Sequence, residues 1–155
     1  LEFRRVLFRS GAQQVGMGRD LYEQVPAARA VFDAADEALG FPLSELCFEG
    51  PEEELTRTVN TQPALVTHGI ASLVAAIHCG SIRERAALLA GHSLGEYAAL
   101  IAAGAISFAD GVRLVRERGR LMQEACDANP GTMAVVLGME RAAVAELCKI
   151  GRAHV

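Results

Sequence analysis

The sequence predicts an α/β fold in which helices flank a parallel sheet and one strand ends in a sharp turn that opens a helix. Three observations carry this expectation. The apolar run Ala87-Leu88-Leu89-Ala90 breaks at Gly91-His92-Ser93-Leu94-Gly95 and resumes as the helix-forming Glu96-Tyr97-Ala98-Ala99-Leu100; strand, turn and helix in that order are the signature of a nucleophile elbow. Elsewhere, apolar stripes of helical period alternate with short breaks. Finally, 51% of the 155 residues are hydrophobic, enough for one sizeable buried core.

In chain order, Val31, Phe32, Ala35 and Leu39 form an apolar stripe closed by Gly40, which predicts a helix from about Ala27 to Leu39. The stretch from Phe41 to Asn60, with three acidic residues after Pro51, reads as short surface turns. Pro63 suits the first turn of a helix behind Asn60 or Thr61, and Ala64 to His78 is apolar nearly all round, hence a buried helix. After the elbow, Gly95, Ala98, Ala99, Ala102 and Ala103 place small residues where a helix must press against a sheet. Ser107 with Asp110 reads as a capping box for a helix reaching about Ala128, ended by Asn129-Pro130-Gly131. Met133 to Leu137 then reads as a strand and Glu140 to Cys148 as a helix.

The chemistry centres on Ser93. A serine hydroxyl is a weak nucleophile until it is aimed at a carbonyl and held in reach of a base. An elbow supplies the aim, and the amides at the start of the following helix favour developing negative charge; the backbone N–H of Leu94 is the expected oxyanion donor. A Gly-x-Ser-x-Gly pattern also arises by chance, and the alternative is a Gly-rich turn whose serine only caps a helix.

Composition excludes several classes. No apolar run reaches membrane-spanning length and no secretory pattern opens the chain. Cys47, Cys79, Cys126 and Cys148 are scattered, with no CxxC pair, so four reduced thiols in a cytoplasmic protein are expected. The net charge of −4 argues against general nucleic-acid binding.

The segment Gly91-His92-Ser93-Leu94-Gly95-Glu96-Tyr97 resembles the active-serine region of malonyl-CoA:acyl carrier protein transacylases and of the acyltransferase domains of polyketide and fatty acid synthases. Other stretches agree in order and spacing: Gly11-Ala12-Gln13 with Val15-Gly16-Met17-Gly18, Leu46 to Leu55, Asn60-Thr61-Gln62-Pro63-Ala64, and Arg116-Glu117-Arg118-Gly119 with Met122-Gln123-Glu124-Ala125. The resemblance covers roughly residues 11 to 148. It implies an α/β hydrolase-like large subdomain, partial over 11–131, and the truncated start of a small ferredoxin-like subdomain over 132–148.

In the family so resembled, the arginine of the Arg-x-Arg-Gly segment grips the free carboxylate of the malonyl group, which implies that role for Arg118. Arginine suits it because its planar fork meets a carboxylate with two parallel hydrogen bonds. At about 100° per residue, Arg113, Arg116 and Arg120 fall within about 60° of one another on a helix, whereas Arg118 lies about 140° from Arg113. The other three therefore read as surface charges paired with neighbouring acids, the alternative for Arg118 as well.

His92, next to Ser93 in the turn, reads as a turn or substrate-pocket residue, too close in sequence to serve easily as the base. His68 and His78 read as core or helix-end histidines. The resemblance places the catalytic base beyond residue 155, and it puts Ser10 where the family has an oxyanion-loop glutamine. Residues 1–10 carry three arginines in place of an apolar first strand, and 149–155 leave a helical pattern uncapped; both are expected to be non-native scars, the alternative being ordinary divergence.

The implied activity is transfer of a malonyl group from coenzyme A to the phosphopantetheine thiol of acyl carrier protein through a malonyl-serine ester, in fatty acid biosynthesis. The implied enzyme is a cytoplasmic monomer with malonyl-CoA and acyl carrier protein as partners, no membrane, no metal and no bound cofactor. The alternatives are a polyketide synthase acyltransferase domain or a serine esterase with the same elbow. The 155 residues alone are expected to be inactive.

Overall fold

The computed structural model describes residues 12–81, 88–128, 136 and 138–150. These residues contain eight helices: α1 (Arg19–Gln24), α2 (Pro26–Leu39), α3 (Leu43–Glu49), α4 (Glu52–Thr56), α5 (Thr58–His78), α6 (Leu94–Ala102), α7 (Phe108–Ala128) and α8 (Arg141–Ile150). The chain divides into two compact units, Leu1–Ala125 and Cys126–Val155.

The first unit is built on α2 and α5. Ala28, Phe32 and Ala35 bury one stripe of α2, and Gly40, at φ 70°, ends the helix in the left-handed conformation with its amide on the Asp36 carbonyl, a conformation glycine adopts without strain. That stripe lies where the sequence places it.

Helix α5 is buried nearly all round from Thr61 to Ala71. It starts at Thr58, earlier than expected, so Pro63 stands inside the helix. The proline lacks the N–H that would otherwise bond the carbonyl four residues back. Pro63 is itself fully buried, and side chains just ahead of it tie this end of the helix to α4: the Thr61 hydroxyl donates to the Leu55 carbonyl at 2.6 Å, and the Asn60 side chain to the Glu54 carbonyl at 2.9 Å.

Residues 41–60 correct the expectation of surface turns. Two short helices, α3 and α4, occupy the stretch, and Leu43, Cys47 and Leu55 are fully buried. Prolines 42 and 51 stand at the positions preceding α3 and α4, so punctuation that reads as a loop here starts helices. Asp36 of α2 ties α3 down by accepting from the Ser44 amide at 2.9 Å and from its hydroxyl.

Ser107 caps α7 as expected: its hydroxyl oxygen accepts from the Asp110 amide at 3.1 Å and donates to the Asp110 carboxylate at 2.6 Å. Val112 and Val115 bury the inner face of α7, and Gly119 meets α5 so closely that a Cβ there would lie 2.6 Å from the Thr58 carbonyl oxygen and 2.8 Å from the Val59 Cα.

In the second unit, α8 begins with the Ala143 and Val144 amides on the Glu140 carbonyl, close to the expected helix over 140–148. No strand occurs among the described residues. Leu88 to Gly91 are in neither helix nor strand. Ala87, most of the strand expected over Met133–Leu137, the turn at 129–131 and the termini at 1–11 and 151–155 lie outside the described residues.

Candidate active site

Ser93 stands between the segment 88–91 and α6, with φ 54° and ψ −112°. It is the one non-glycine residue with positive φ among the described residues. Such a conformation costs on the order of 1–3 kcal/mol and persists only where the surroundings over-determine it. Gly91 and Gly95 show what does so here. A Cβ on Gly91 would lie 2.0 Å from the carbonyl carbon and oxygen of Gly95 and 2.5 Å from the Glu96 amide. Main chain therefore lies against main chain across the turn, an approach that only glycine permits at position 91. Leu94 and Ala98 anchor α6 by burial, while Ser93 itself is exposed.

The amides of Gly95 and Glu96 bond back to the carbonyls of His92 and Ser93 at 2.9 and 3.2 Å. Leu94 contributes the first amide of α6, too early in the helix for an intrahelical acceptor. Its side chain is buried, whereas His92 is exposed in the turn.

Arg118 comes from α7 and points at this turn. Its Nη2 donates to the Ser93 Oγ at 2.9 Å and its Nη1 to the Gln62 Oε1 at 2.5 Å, and its guanidinium carbon lies 6.0 Å from the centre of the Tyr97 ring. The other arginines of α7 face elsewhere, as helical geometry requires. Arg120 pairs with Glu117 and Glu124 and Arg113 with Asp110. Arg113 also donates to the Ala38 carbonyl, and Arg116 to the Leu39 carbonyl while stacking on Phe41 at 4.1 Å. Cations at the carbonyl end of α2 complement its dipole, so for Arg116 the expected acidic partner is replaced by main chain and a ring.

Gln62 is the residue that sequence reasoning passed over. It is 3% exposed, and its amide reaches Thr58 Oγ1 at 3.0 Å and Met122 Sδ at 3.4 Å as well as Arg118. The available signal was an amide side chain at the edge of the apolar run Pro63–Val66, since a buried polar group must find partners.

His68 is half-buried, and burial lowers its pKa, with Asp20 opposing. Burial pushes the Cys47 thiol up to about 12, so it is an inert core thiol. Among the described residues no cluster of histidine, cysteine, aspartate or glutamate could hold a metal, and no helix is long and apolar enough to cross a membrane. A cavity of about 600 Å³, bordered by Phe41, Leu46, Val59 and Arg116, shares no lining residue with the Ser93 site.

The arrangement can direct an exposed hydroxyl at a carbonyl and present a cation beside it. The profile of the acyl transferase domain family matches residues 9–150. The malonyl CoA-acyl carrier protein transacylase of Bacillus subtilis (strain 168) is 53% identical over 137 residues, covering 88% of this chain and 42% of the relative. The crystal structure of MCAT from Streptococcus pneumoniae superimposes with a TM-score of 0.82 at 38% identity, over 95% of this chain and 47% of that one. A malonyl-transacylase solved in complex with its type II PKS acyl-carrier protein gives a TM-score of 0.76 at 37% identity, over 92% and 45% of the two chains. The chain thus spans less than half the length of these relatives.

Proposed function

This chain belongs to the acyl transferase domain family, and we propose that the protein carrying it moves a malonyl group from coenzyme A to the phosphopantetheine thiol of acyl carrier protein, in fatty acid biosynthesis. The observation that carries the reading is the hydrogen bond between Arg118 and the hydroxyl of Ser93, made at the turn where Ser93 is held at positive φ. A carboxylate one methylene beyond an ester on Ser93 would fall within reach of the same guanidinium.

In this reading the Ser93 Oγ adds to the thioester carbonyl and gives its proton to a base supplied from outside these 155 residues. The Leu94 N–H receives the charge that develops on the carbonyl oxygen. The C–S bond breaks, coenzyme A leaves as the protonated thiol, and a malonyl-Ser93 ester remains. The phosphopantetheine thiol then attacks the ester carbonyl, its proton returns to Ser93, and malonyl carrier protein departs. Arg118 holds the malonyl carboxylate throughout, and His92 borders the substrate. Because coenzyme A leaves before the carrier thiol attacks, the covalent intermediate gives ping-pong kinetics. No step calls on a metal or a resident cofactor.

Two relatives support the substrates and the partner: the Bacillus enzyme is named for malonyl CoA and acyl carrier protein, and the other was solved with its carrier protein. The finer architecture belongs to the same proposal, namely a parallel sheet in a hydrolase-like subdomain over 11–131 and a ferredoxin-like subdomain from 132, in a monomeric cytoplasmic enzyme. The test is to incubate the full-length protein with labelled malonyl-CoA and map the adduct by mass spectrometry. A malonyl adduct on Ser93, absent in Ser93→Ala, is expected; an adduct on another serine or on a cysteine would overturn the assignment.

A further inference from the structure

We infer that Gln62 is a positioning residue: it orients the Arg118 guanidinium toward Ser93 while leaving its positive charge uncompensated, and so sets the preference for acyl groups that carry a free carboxylate. The inference rests on the reading of Arg118 given above.

The geometry is specific. Gln62 is 3% exposed on α5, and among the described residues its side chain bonds Arg118 Nη1 at 2.5 Å, Thr58 Oγ1 at 3.0 Å and Met122 Sδ at 3.4 Å. A guanidinium has no acceptor and a thioether has no donor, so the amide has one sensible orientation, with Oε1 toward Arg118 and Nε2 toward Thr58 and Met122. The guanidinium is planar, so a bond at Nη1 fixes the direction of Nη2, which meets Ser93 at 2.9 Å. Pro63, fully buried beside Gln62, limits the backbone freedom of the helix that holds the amide.

Neutrality is the second half of the argument. A carboxylate at this buried position would pair with Arg118 directly and compete with the carboxylate of the acyl group. An amide oxygen fixes the same donor through a hydrogen bond and leaves the cation free to attract an anion. Glutamate has nearly the same shape as glutamine, so Gln62→Glu keeps an acceptor for Arg118 while adding a negative charge and giving up the Nε2 donor to Thr58 and Met122, whereas Gln62→Leu removes every one of these bonds.

The experiment compares kcat/KM for malonyl-CoA and acetyl-CoA in the full-length protein for the wild type, Gln62→Glu, Gln62→Leu and Arg118→Ala, with thermal melting of each. The expected result is a fall of about tenfold or more in the malonyl-to-acetyl ratio for Gln62→Glu, and a smaller fall for Gln62→Leu. The loss should sit mainly in KM for malonyl-CoA, with acetyl transfer little changed. If Arg118→Ala lowers the ratio and Gln62→Glu does not, the inference falls while the proposed function stands. If Arg118→Ala leaves the ratio intact, the reading of Arg118 falls and the inference with it. Equal losses for both acyl groups in Gln62→Glu would make Gln62 structural and overturn the inference; should Gln62→Leu not fold, the near-isosteric glutamate variant decides alone.

Discussion

Arg118 on α7 and Ser93 in the turn before α6, 25 residues apart in sequence, share a hydrogen bond of 2.9 Å between Nη2 and Oγ. The cation and the proposed nucleophile are thus joined by a hydrogen bond before any acyl group arrives. In the proposed reading, the carboxylate of the arriving malonyl group would take this N–H from the serine hydroxyl and keep it through acylation, because the ester oxygen is a poorer acceptor. The same donor would serve the free hydroxyl first and the acyl group afterwards.

Arg118→Ala should therefore depress malonyl transfer by roughly 2 to 5 kcal/mol in transition-state terms, because the carboxylate is left unpaired. Acetyl transfer should fall much less. Arg118→Lys should recover only part of the loss, since a lysine cannot make two parallel bonds. Steady-state kinetics with both thioesters check this, and equal losses would mean a structural role.

Gly91→Ala should cripple the elbow. The added methyl would sit 2.0 Å from the Gly95 carbonyl, an overlap that only backbone movement relieves, at a cost of about 1–3 kcal/mol or more. Transfer should fall steeply, and the melting temperature with it. Gly95→Ala is the control, because a Cβ there meets nothing within 4 Å. Comparable damage from both substitutions would contradict the contact.

Cys47 should resist alkylation in the native protein at pH 8, while the exposed Cys79, Cys126 and Cys148 react. Burial raises the Cys47 pKa from an ordinary 9.0 to about 12, so between those values the unfolded chain has lost a proton that the folded one retains. Stability from this group is complete below pH 9 and is lost as pH rises toward 12. Urea melts at pH 8 and pH 10.5 for the wild type and Cys47→Ala measure it: the wild type should lose more stability over that interval.

Thr67→Val should leave stability unchanged or raise it by about 1 kcal/mol. The Thr67 hydroxyl is fully buried and finds no hydrogen-bond partner among the described residues, so the native state carries its desolvation cost without return. Valine has the same shape without the oxygen. A clear loss in a thermal melt would reveal a partner for the hydroxyl.

Much of this was legible beforehand because local rules decide it. The stripe of α2, the Ser107 cap of α7 and the turn at Ser93 each follow from residues within a few positions of one another. The off-stripe direction of Arg118 needed only the helical repeat. What escaped depends on distant residues. The helices α3 and α4 are seven and five residues long, too short for periodicity to speak, and are held by burial of Leu43, Cys47 and Leu55 and by Asp36 across the chain. Helix α5 runs through Pro63, which is fully buried, where the local rule places a proline in the first turn. Gln62 meets Arg118 across 56 residues, a pairing that tertiary packing alone creates.

The anchoring of α7 has a consequence for how this protein tolerates change. Arg113 and Arg116 fasten the helix to the carbonyls of Ala38 and Leu39, and Gly119 rests on the carbonyl of Thr58 and the Cα of Val59. Every one of those receiving atoms is main chain, and main chain is common to all side chains. Positions 38, 39 and 59 can thus drift without moving the helix, provided that they keep their backbone path, whereas Thr58 also holds the Gln62 amide through its hydroxyl. At these anchoring contacts the vulnerability lies on the side of α7, where the loss of a guanidinium or the gain of a methyl group would disturb the placement of Arg118.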